Sequence, residues 1–268
     1  MKEQSQLKQL FKKMWEHYCR MNPEAQRVYD CLISLGETVE NDHIALRTVS
    51  LSEVNKDVLG KFFTDYGYVK KGDYVFQNKK LTANHYEHFD VHMPKVFISQ
   101  LELDWCSNFV KSELTKVIQT SNLKNCDYES FLYSGRHWTA FYAVYLNLYE
   151  ESEYAAWFYA HGFKPNHFTV YINKLKKLND IQRLNSFLKD NNFKLNQSGG
   201  EIKGSVEDCL EQSSTMASEI SVRFGEGIYS IPGCYYEFAK RYPLQTGSLY
   251  QGFVEKSADK IFESTHQS

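Results

Sequence analysis

The sequence predicts an α+β fold in which two βαβββ-type modules form a cupped mixed or antiparallel sheet. Two strand-like segments, 41–49 and 166–172, each carry a histidine near their start. Each segment is followed by a helical pattern and then by several strand-like stretches, which indicates a weak internal repeat. Aromatic residues, which favour strands, make up 15% of the 268 residues. Two such modules paired edge to edge would enclose a ligand on the inner face of the sheet.

The whole chain, 1–268, is interpreted as a single domain with four parts. N-terminal helices occupy 1–36, the first module 37–104, a helical middle section 105–162 and the second module 163–268. The N-terminal and middle helices are expected to pack outside the sheet. The alternative is one α+β domain without internal symmetry.

The N-terminal helices are predicted from periodicity and from their end signals. Residues 1–20 carry apolar side chains at three- and four-residue steps, which is typical of an amphipathic helix. Asn22 and Pro23 then predict the cap and first residue of a second helix, and Gly36 predicts its end.

The remaining elements follow the same two periodicities. After the first histidine strand, helices are predicted at 54–63, 108–119, 128–133, 150–161 and 181–188. Further strands are predicted at 74–77, 88–92, 96–103, 193–195, 218–224, 227–230 and 234–239.

Composition excludes several classes of function. The net charge of −2, without a long run of one sign, argues against nucleic acid or an anionic membrane as a partner. The six cysteines include no CxxC pair, so neither a structural zinc site nor a disulfide framework is predicted. The first twenty residues do not read as a secretory signal, and no stretch is apolar enough to span a bilayer. We expect a cytoplasmic protein.

Three side chains on separate predicted strands could converge as metal ligands. Strand alternation places His43 and Arg47 on one face, and it places His167 and Glu237 on the polar faces of their own strands. Two histidines and one carboxylate form the open-sided triad of non-haem iron(II) sites. Taken singly, each histidine could instead be a hydrogen-bonded structural residue, and the glutamate could face solvent.

A second group of potential ligands lies in the segment 85–92. His85, His88 and His92 would share a face on a helix, whereas on a strand His88 and His92 would share a face with Asp90. The competing interpretation is an ordinary surface hairpin.

The three strand segments resemble a known family. NDHIALRTV, HFTVYI and YYEFAKR, with EQSSTMA between the last two, are similar to the 2-oxoadipate dioxygenase/decarboxylase family, also called hydroxyglutarate synthase. The resemblance runs from about residue 37 to 265. It implies a fold like the vicinal oxygen chelate superfamily, iron(II) held by His43, His167 and Glu237, and a substrate carboxylate bound by Arg47.

The implied reaction converts 2-oxoadipate and oxygen to 2-hydroxyglutarate and carbon dioxide. The substrate is therefore expected to be a small 2-oxo dicarboxylic acid, with Gln212, Ser214 and Ser248 as further substrate-binding candidates. Two alternatives stay open: a zinc- or manganese-dependent hydrolase or lyase, and a non-catalytic protein that binds a small acid. The sequence determines neither the oligomeric state nor the native metal, because these ligands accept several metals.

Overall fold

A computed structural model describes residues 2–121, 123 and 129–265. The helices are α1 (Lys2–Met21), α2 (Pro23–Ser34), α3 (Lys56–Thr64), α4 (Asn108–Thr120), α5 (Tyr142–Glu151), α6 (Glu153–His161), α7 (Ile181–Asp190) and α8 (Glu255–Phe262). The strands are β1 (Asn41–Val49), β2 (Tyr68–Phe76), β3 (Leu81–His88), β4 (Lys95–Leu101), β5 (Pro165–Tyr171), β6 (Lys203–Ser205), β7 (Leu210–Ser214), β8 (Glu219–Arg223), β9 (Ile228–Pro232) and β10 (Glu237–Arg241).

Eight strands form one curled mixed sheet in the order β2-β3-β4-β1-β5-β10-β7-β6. In the first half, β1 pairs in parallel with β4, and β3 and β2 follow antiparallel. In the second half, β5 pairs in parallel with β10, and β7 and β6 follow antiparallel. The two halves thus repeat one βαβββ arrangement, as predicted, and the β8–β9 hairpin is inserted in the second half.

The two halves meet where β1 and β5 pair antiparallel. Ile44 lies opposite Phe168, while His43 lies opposite Thr169 and Ala45 opposite His167. An approximate two-fold axis through the Ile44–Phe168 pair therefore relates the two histidines. Since each histidine directly precedes its member of that pair, both side chains leave the same face of the sheet.

The first helix covers the opposite face of the two central strands. The ring of Trp15 lies 5.1 Å from that of Phe168 and 5.5 Å from that of Tyr236, and the ring of Tyr18 lies 5.0 Å from that of Phe168. The predicted cap of α2 is also confirmed, because the Asn22 side chain accepts the N–H of Ala25. This apolar layer fixes the outer side of the sheet and leaves the inner side to polar residues.

The predicted helix at 150–161 corresponds to α6, and its first two residues instead end a separate helix, α5. Ser152 separates them, and its side chain accepts the N–H of Ala155 to cap α6. Gly162 ends α6 with a φ of +69°, and a Cβ there would lie 2.3 Å from the carbonyl oxygen of Gly135. This tight turn sends the chain directly into β5, so Gly162 sets where His167 enters the sheet.

Three predicted elements differ from the structure. The strand predicted at 88–92 is wrong: β3 ends at His88, and Asp90 accepts the N–H of His92 in a turn. The strand predicted at 193–195 is reduced to one bridge between Leu195 and Thr215. Of the predicted helix at 128–133, residue 128 lies outside the described residues, and 130–133 form a 3₁₀ turn.

Five elements were not predicted: β3, apart from its last residue, α5, apart from its last two residues, and β6, β7 and α8. β6 has three residues, too few for a periodicity to show, and β7 reads Leu-Glu-Gln-Ser-Ser, a polar run that is nonetheless entirely buried. The signal for α8 was present, since Ala258, Ile261 and Phe262 follow helical spacing. In the part of the chain that the structure describes, no helix is both long and apolar enough to span a bilayer.

Candidate metal centre

The inner face of the curled sheet brings His43, His167 and Glu237 together. Each offers one ligand atom, and these atoms all lie within 4.8 Å of one another. The Nε2 atom of His167 is 3.1 Å from Oε2 of Glu237, and that of His43 is 3.6 Å from Oε1. All three side chains are buried. The predicted convergence of the three strands is therefore present in the geometry.

Each histidine is oriented by the residue that precedes it. Nδ1 of His43 lies 2.8 Å from Oδ1 of Asp42, and Nδ1 of His167 lies 3.1 Å from Oδ1 of Asn166. When Nδ1 donates to these oxygens, Nε2 keeps a lone pair that faces Glu237. Asp42 and Asn166 were not predicted, although the signal was present: a short acceptor side chain precedes the histidine in both strands.

Asp42 is in turn held by an arginine from the other half of the sheet. Arg241 donates from Nε to Oδ2 at 2.6 Å and from Nη2 to Oδ1 at 2.8 Å. Burial alone would raise the pKa of Asp42, but the Arg241 guanidinium lowers it well below its usual range. A fixed negative charge therefore faces His43 Nδ1. Sequence alone did not identify this pair, because its members lie 199 residues apart.

Glu237 receives a hydrogen bond from a predicted site residue. Gln212 Nε2 donates to Oε1 of Glu237 at 2.5 Å. Burial raises the pKa of Glu237 to about 8 and lowers the pKa of both His43 and His167. Desolvation thus disfavours charge on each member of the triad, and a divalent cation between them would compensate the carboxylate charge.

The donor set fits a divalent transition metal. Adjacent ligands at about 2.1 Å from a metal ion lie roughly 3 Å apart, close to the 3.1 and 3.6 Å measured here. Two imidazoles and one carboxylate form the facial arrangement that leaves other coordination positions open. Thr169 places its hydroxyl 3.1 Å from His43 Nε2, so it lies beside the same space.

The two-fold relation defines a fourth position on this face. Glu237 pairs with Thr169 in the second half, and Phe97 pairs with Ala45 in the first, so Phe97 is the counterpart of Glu237. Phenylalanine offers no ligand atom. The symmetry of the backbone would allow four ligands, and the side chains reduce them to three.

Aromatic and aliphatic side chains close the space beside the triad. The cavity there has a volume of about 10 Å³, and its walls include Phe97, Phe253 and Phe262. The ring of Phe253 lies 4.8 Å from both His43 and Phe97. Such a volume admits an ion or one water molecule but no organic acid.

Arg47 lies deeper on the same face and presents unpaired donors. Its Nη1 donates to Oε1 of Glu153 at 3.0 Å, and its guanidinium lies over the rings of Tyr154 and Trp157 at 4.7 and 5.0 Å. Nε and Nη2 are buried without a partner among the described residues, as is the hydroxyl of Tyr235. Buried polar groups are rarely left unpaired, so these atoms indicate a binding position for an anion.

The two predicted serines differ in where they lie relative to the triad. Ser214 lies directly opposite Glu237 in the β7–β10 pairing, so the two side chains leave the same face of the sheet, and its hydroxyl is 2.7 Å from that of Ser264. Ser248 is on an exposed loop, where it bonds to Thr246, and it does not line the cavity beside the triad. Ser214 is therefore brought beside the triad, whereas Ser248 is not.

The histidines of the 85–92 segment take separate partners. His85 bonds to the Tyr74 hydroxyl and to Glu87. His88 contacts the carbonyl oxygen of Tyr66, and His92 lies near a different carboxylate on the surface. Among the described residues, the one cluster with metal-site geometry is the triad. The structure therefore gives no support to a second site here.

A family model described as 2-oxoadipate dioxygenase/decarboxylase matches residues 1–127 and 113–249 of this chain. The chain belongs to this family. The resemblance to this family that the strand segments indicated is thus confirmed.

Individual relatives agree over most of the chain. A chloroplastic 2-oxoadipate dioxygenase/decarboxylase from Arabidopsis thaliana is 34% identical over 93% of this chain and 75% of its own length. The structure of hydroxyglutarate synthase from Oryza sativa in complex with 2-oxoadipate has a TM-score of 0.93 at 33% identity, covering 99% of this chain and 93% of that one. A Shewanella frigidimarina protein, provisionally named a hydrolase, has a TM-score of 0.88 at 48% identity, covering 92% and 97%.

The expected fold also recurs outside close relatives of the 2-oxoadipate dioxygenase/decarboxylase family. A Ralstonia eutropha protein provisionally placed in the glyoxalase superfamily has a TM-score of 0.78 at 19% identity, covering 91% of this chain and 84% of that one. Similarity at this level of identity shows the fold alone.

Proposed function

We propose that this protein is an iron(II)-dependent dioxygenase that decarboxylates a small 2-oxo dicarboxylic acid, with 2-oxoadipate as substrate. The products are 2-hydroxyglutarate and carbon dioxide, and one molecule of oxygen is consumed. The observation that carries the proposal is the buried convergence of His43, His167 and Glu237 in a chain of this family. The bound 2-oxoadipate of the Oryza sativa relative supports the choice of substrate.

His43, His167 and Glu237 are the proposed metal ligands. Bound iron(II) would supply open coordination positions for the 2-oxo acid and for oxygen. Asp42 and Asn166 each hold an imidazole in the tautomer that carries its proton on Nδ1. Gln212 restrains the carboxylate of Glu237. The chain thus preorganises the site before substrate enters.

Arg47 is the proposed partner of the substrate carboxylate that lies away from the metal. Its Nε and Nη2 atoms are buried and have no partner among the described residues, so they can donate two parallel hydrogen bonds. Glu153 holds the third nitrogen of the fork, and the Tyr235 hydroxyl offers a further donor nearby. We assign substrate contact to Tyr235 in place of the exposed Ser248.

Oxygen uptake with a panel of 2-oxo acids tests this proposal. Iron-loaded protein is expected to consume oxygen and release carbon dioxide in equal amounts with 2-oxoadipate. His167→Ala should abolish both, and Arg47→Met should raise KM. Absence of turnover with every 2-oxo acid, in protein shown to contain iron, would contradict the proposal.

The same panel run without oxygen separates the alternatives. Turnover under anaerobic conditions would favour a metal-dependent hydrolase or lyase, the class suggested by the provisional name of the Shewanella frigidimarina relative. Tight acid binding without turnover, retained in His167→Ala, would favour a non-catalytic binding protein.

The cytoplasmic location stays a prediction. The Arabidopsis thaliana relative is named as chloroplastic, which is a statement about that protein. The division of the chain into parts at residues 37, 105 and 163 is likewise part of the proposal.

A further inference from the structure

A second cavity shares no lining residue with the cavity beside the triad. It has a volume of about 550 Å³. Its walls come from the end of α1, the start of α2, the end of α6 and strand β8. A cavity of this size accommodates a small organic ligand.

Four basic side chains line this cavity: Arg20, Arg136, Lys164 and Arg223. The lining contains no aspartate or glutamate. Within the described residues, none of the four has a carboxylate within ion-pair distance. The cavity therefore gathers positive charge from four separate segments of the chain and leaves it without a protein counterion.

The ends of two helices offset only part of this charge. Arg136 donates from Nη1 to the carbonyl oxygen of Ala160 in the last turn of α6, and Arg20 lies in the last turn of α1. Each helix C-terminus carries about half a negative charge. Two such ends balance about one of the four cations, so roughly three positive charges remain.

Arg136 is hydrogen-bonded, which leaves Arg20, Lys164 and Arg223. Of these three side chains, Lys164 is the most buried. Burial lowers the pKa of its amine, and the nearby charges of Arg136 and Arg20 lower it further. Arg136 is held in place from two sides, since its Nη2 also donates to the carbonyl oxygen of Arg223 at 2.6 Å. The charges of Arg136 and Arg20 act on Lys164, and an anion between these groups would relieve their repulsion.

Two carboxylates come near the cavity, one from α1 and one from β8. Glu16 lies one turn before Arg20 on α1, and its charge opposes the lowering of the His17 pKa by burial. Glu219 accepts a hydrogen bond from Ser230 across the hairpin. Neither contributes to the lining. Ile220 and Val222 provide an apolar wall beside the cations.

We propose that this cavity is a binding site for a small phosphorylated anion, separate from the catalytic centre. The guanidinium groups of Arg20 and Arg223 and the amine of Lys164 would contact phosphate oxygens, and the apolar wall would contact the organic part. A ligand with several negative charges matches the excess of about three cations better than a singly charged one.

Calorimetric titration of the iron-loaded protein with pyrophosphate and with inorganic phosphate tests this site. Pyrophosphate is expected to bind with a 1:1 ratio, at least about tenfold more tightly than phosphate, and more weakly as salt is added. Lys164→Met and the double variant Arg20→Gln/Arg223→Gln should each weaken binding at least about tenfold. The double variant changes exposed side chains, so it tests the site even if Lys164→Met fails to fold.

Two controls locate the binding. Lys8→Met removes the same charge from an exposed position that lies about 18 Å from Arg20, towards the start of α1. It should leave the affinity unchanged. His167→Ala should also leave it unchanged, because the triad lies elsewhere. Absence of saturable binding would overturn the proposal. So would binding that is lost in His167→Ala but retained in the cavity variants, since pyrophosphate would then be bound at the metal centre.

Discussion

Each candidate histidine ligand depends on the side chain immediately before it. Asp42 and Asn166 occupy equivalent positions in the two halves, yet one is charged and the other neutral. The two imidazoles therefore have different electrostatic partners although their backbones are related by symmetry. Removal of such an outer partner typically weakens metal binding without removing a ligand.

Asn166→Ala tests this role at the histidine whose preceding side chain is neutral. We expect the affinity for iron(II) to fall about 10- to 100-fold, because His167 loses the acceptor that fixes its tautomer. Anaerobic metal titration gives the measurement. Asn179→Ala, at an exposed position, is the matched control. Unchanged affinity in Asn166→Ala would show that the hydrogen bond has no role in metal binding.

Glu153 is expected to position Arg47 for its carboxylate. In Glu153→Gln the acceptor oxygen remains but the charge is lost, so the arginine is held less firmly. We expect KM for 2-oxoadipate to rise roughly tenfold with a smaller change in kcat. Glu150→Gln, an exposed substitution on the preceding helix, is the control and should behave as wild type. A fall in kcat at constant KM would contradict a positioning role.

At the scale of elements, one carboxylate connects two segments that are distant in the sequence. Glu37, just after α2, accepts the N–H groups of Lys176, Lys177 and Leu178, which lie between β5 and α7. Burial alone would raise the pKa of Glu37, but these three backbone donors lower it. The stability from this contact is therefore present above the pKa of the unfolded state and is lost as pH falls through the lower folded-state pKa.

Glu37→Gln should remove that pH dependence. We expect the variant to be less stable than wild type at neutral pH by about 1–2 kcal/mol, with the difference shrinking at acid pH. Urea unfolding between pH 7 and pH 3 provides the measurement. Glu207→Gln, on an exposed turn, serves as the control. A difference that grows as pH falls would contradict the assigned direction.

At the scale of the whole molecule, the C-terminal segment closes the open side of the curled sheet. α8 contacts the edge strand β2 through the N–H of Val75, which donates to Glu255. It reaches the other edge at β6, where Gly204 faces Ser257 and a Cβ on that glycine would lie 3.0 Å from the serine hydroxyl. Because the cavity beneath has a volume of about 10 Å³, we expect this cover to move when a 2-oxo acid binds.

Hydrogen exchange tests the movement of this cover. Amides of 255–262 should exchange faster than those of β1 and β5, because a local opening does not require the central strands to separate. Addition of 2-oxoadipate to the iron-loaded protein under anaerobic conditions should change exchange in 255–262 and leave β1 unaffected. Equal protection of α8 and the central strands in an active enzyme would show that substrate enters by another route.

The sequence by itself determined which side chains are available at the candidate site. Strand alternation placed His43 with Arg47, and it placed His167 and Glu237 on polar faces, because side chains on a strand change face at every residue. The strand–helix–strand order was also predictable, and so were the ends of α1 and α2, since they depend on local periodicity and caps. Short or polar strands such as β6 and β7 gave no such signal.

Only the tertiary structure decided how those side chains are held and covered. Asp42 meets Arg241 across 199 residues, and Arg47 meets Glu153 across 106. Local periodicity carries no information about such pairs. The replacement of a fourth ligand by Phe97 and the closure by α8 likewise depend on how the two halves pair. Residue type therefore determined which ligands are available, and long-range packing determined their number, orientation and accessibility.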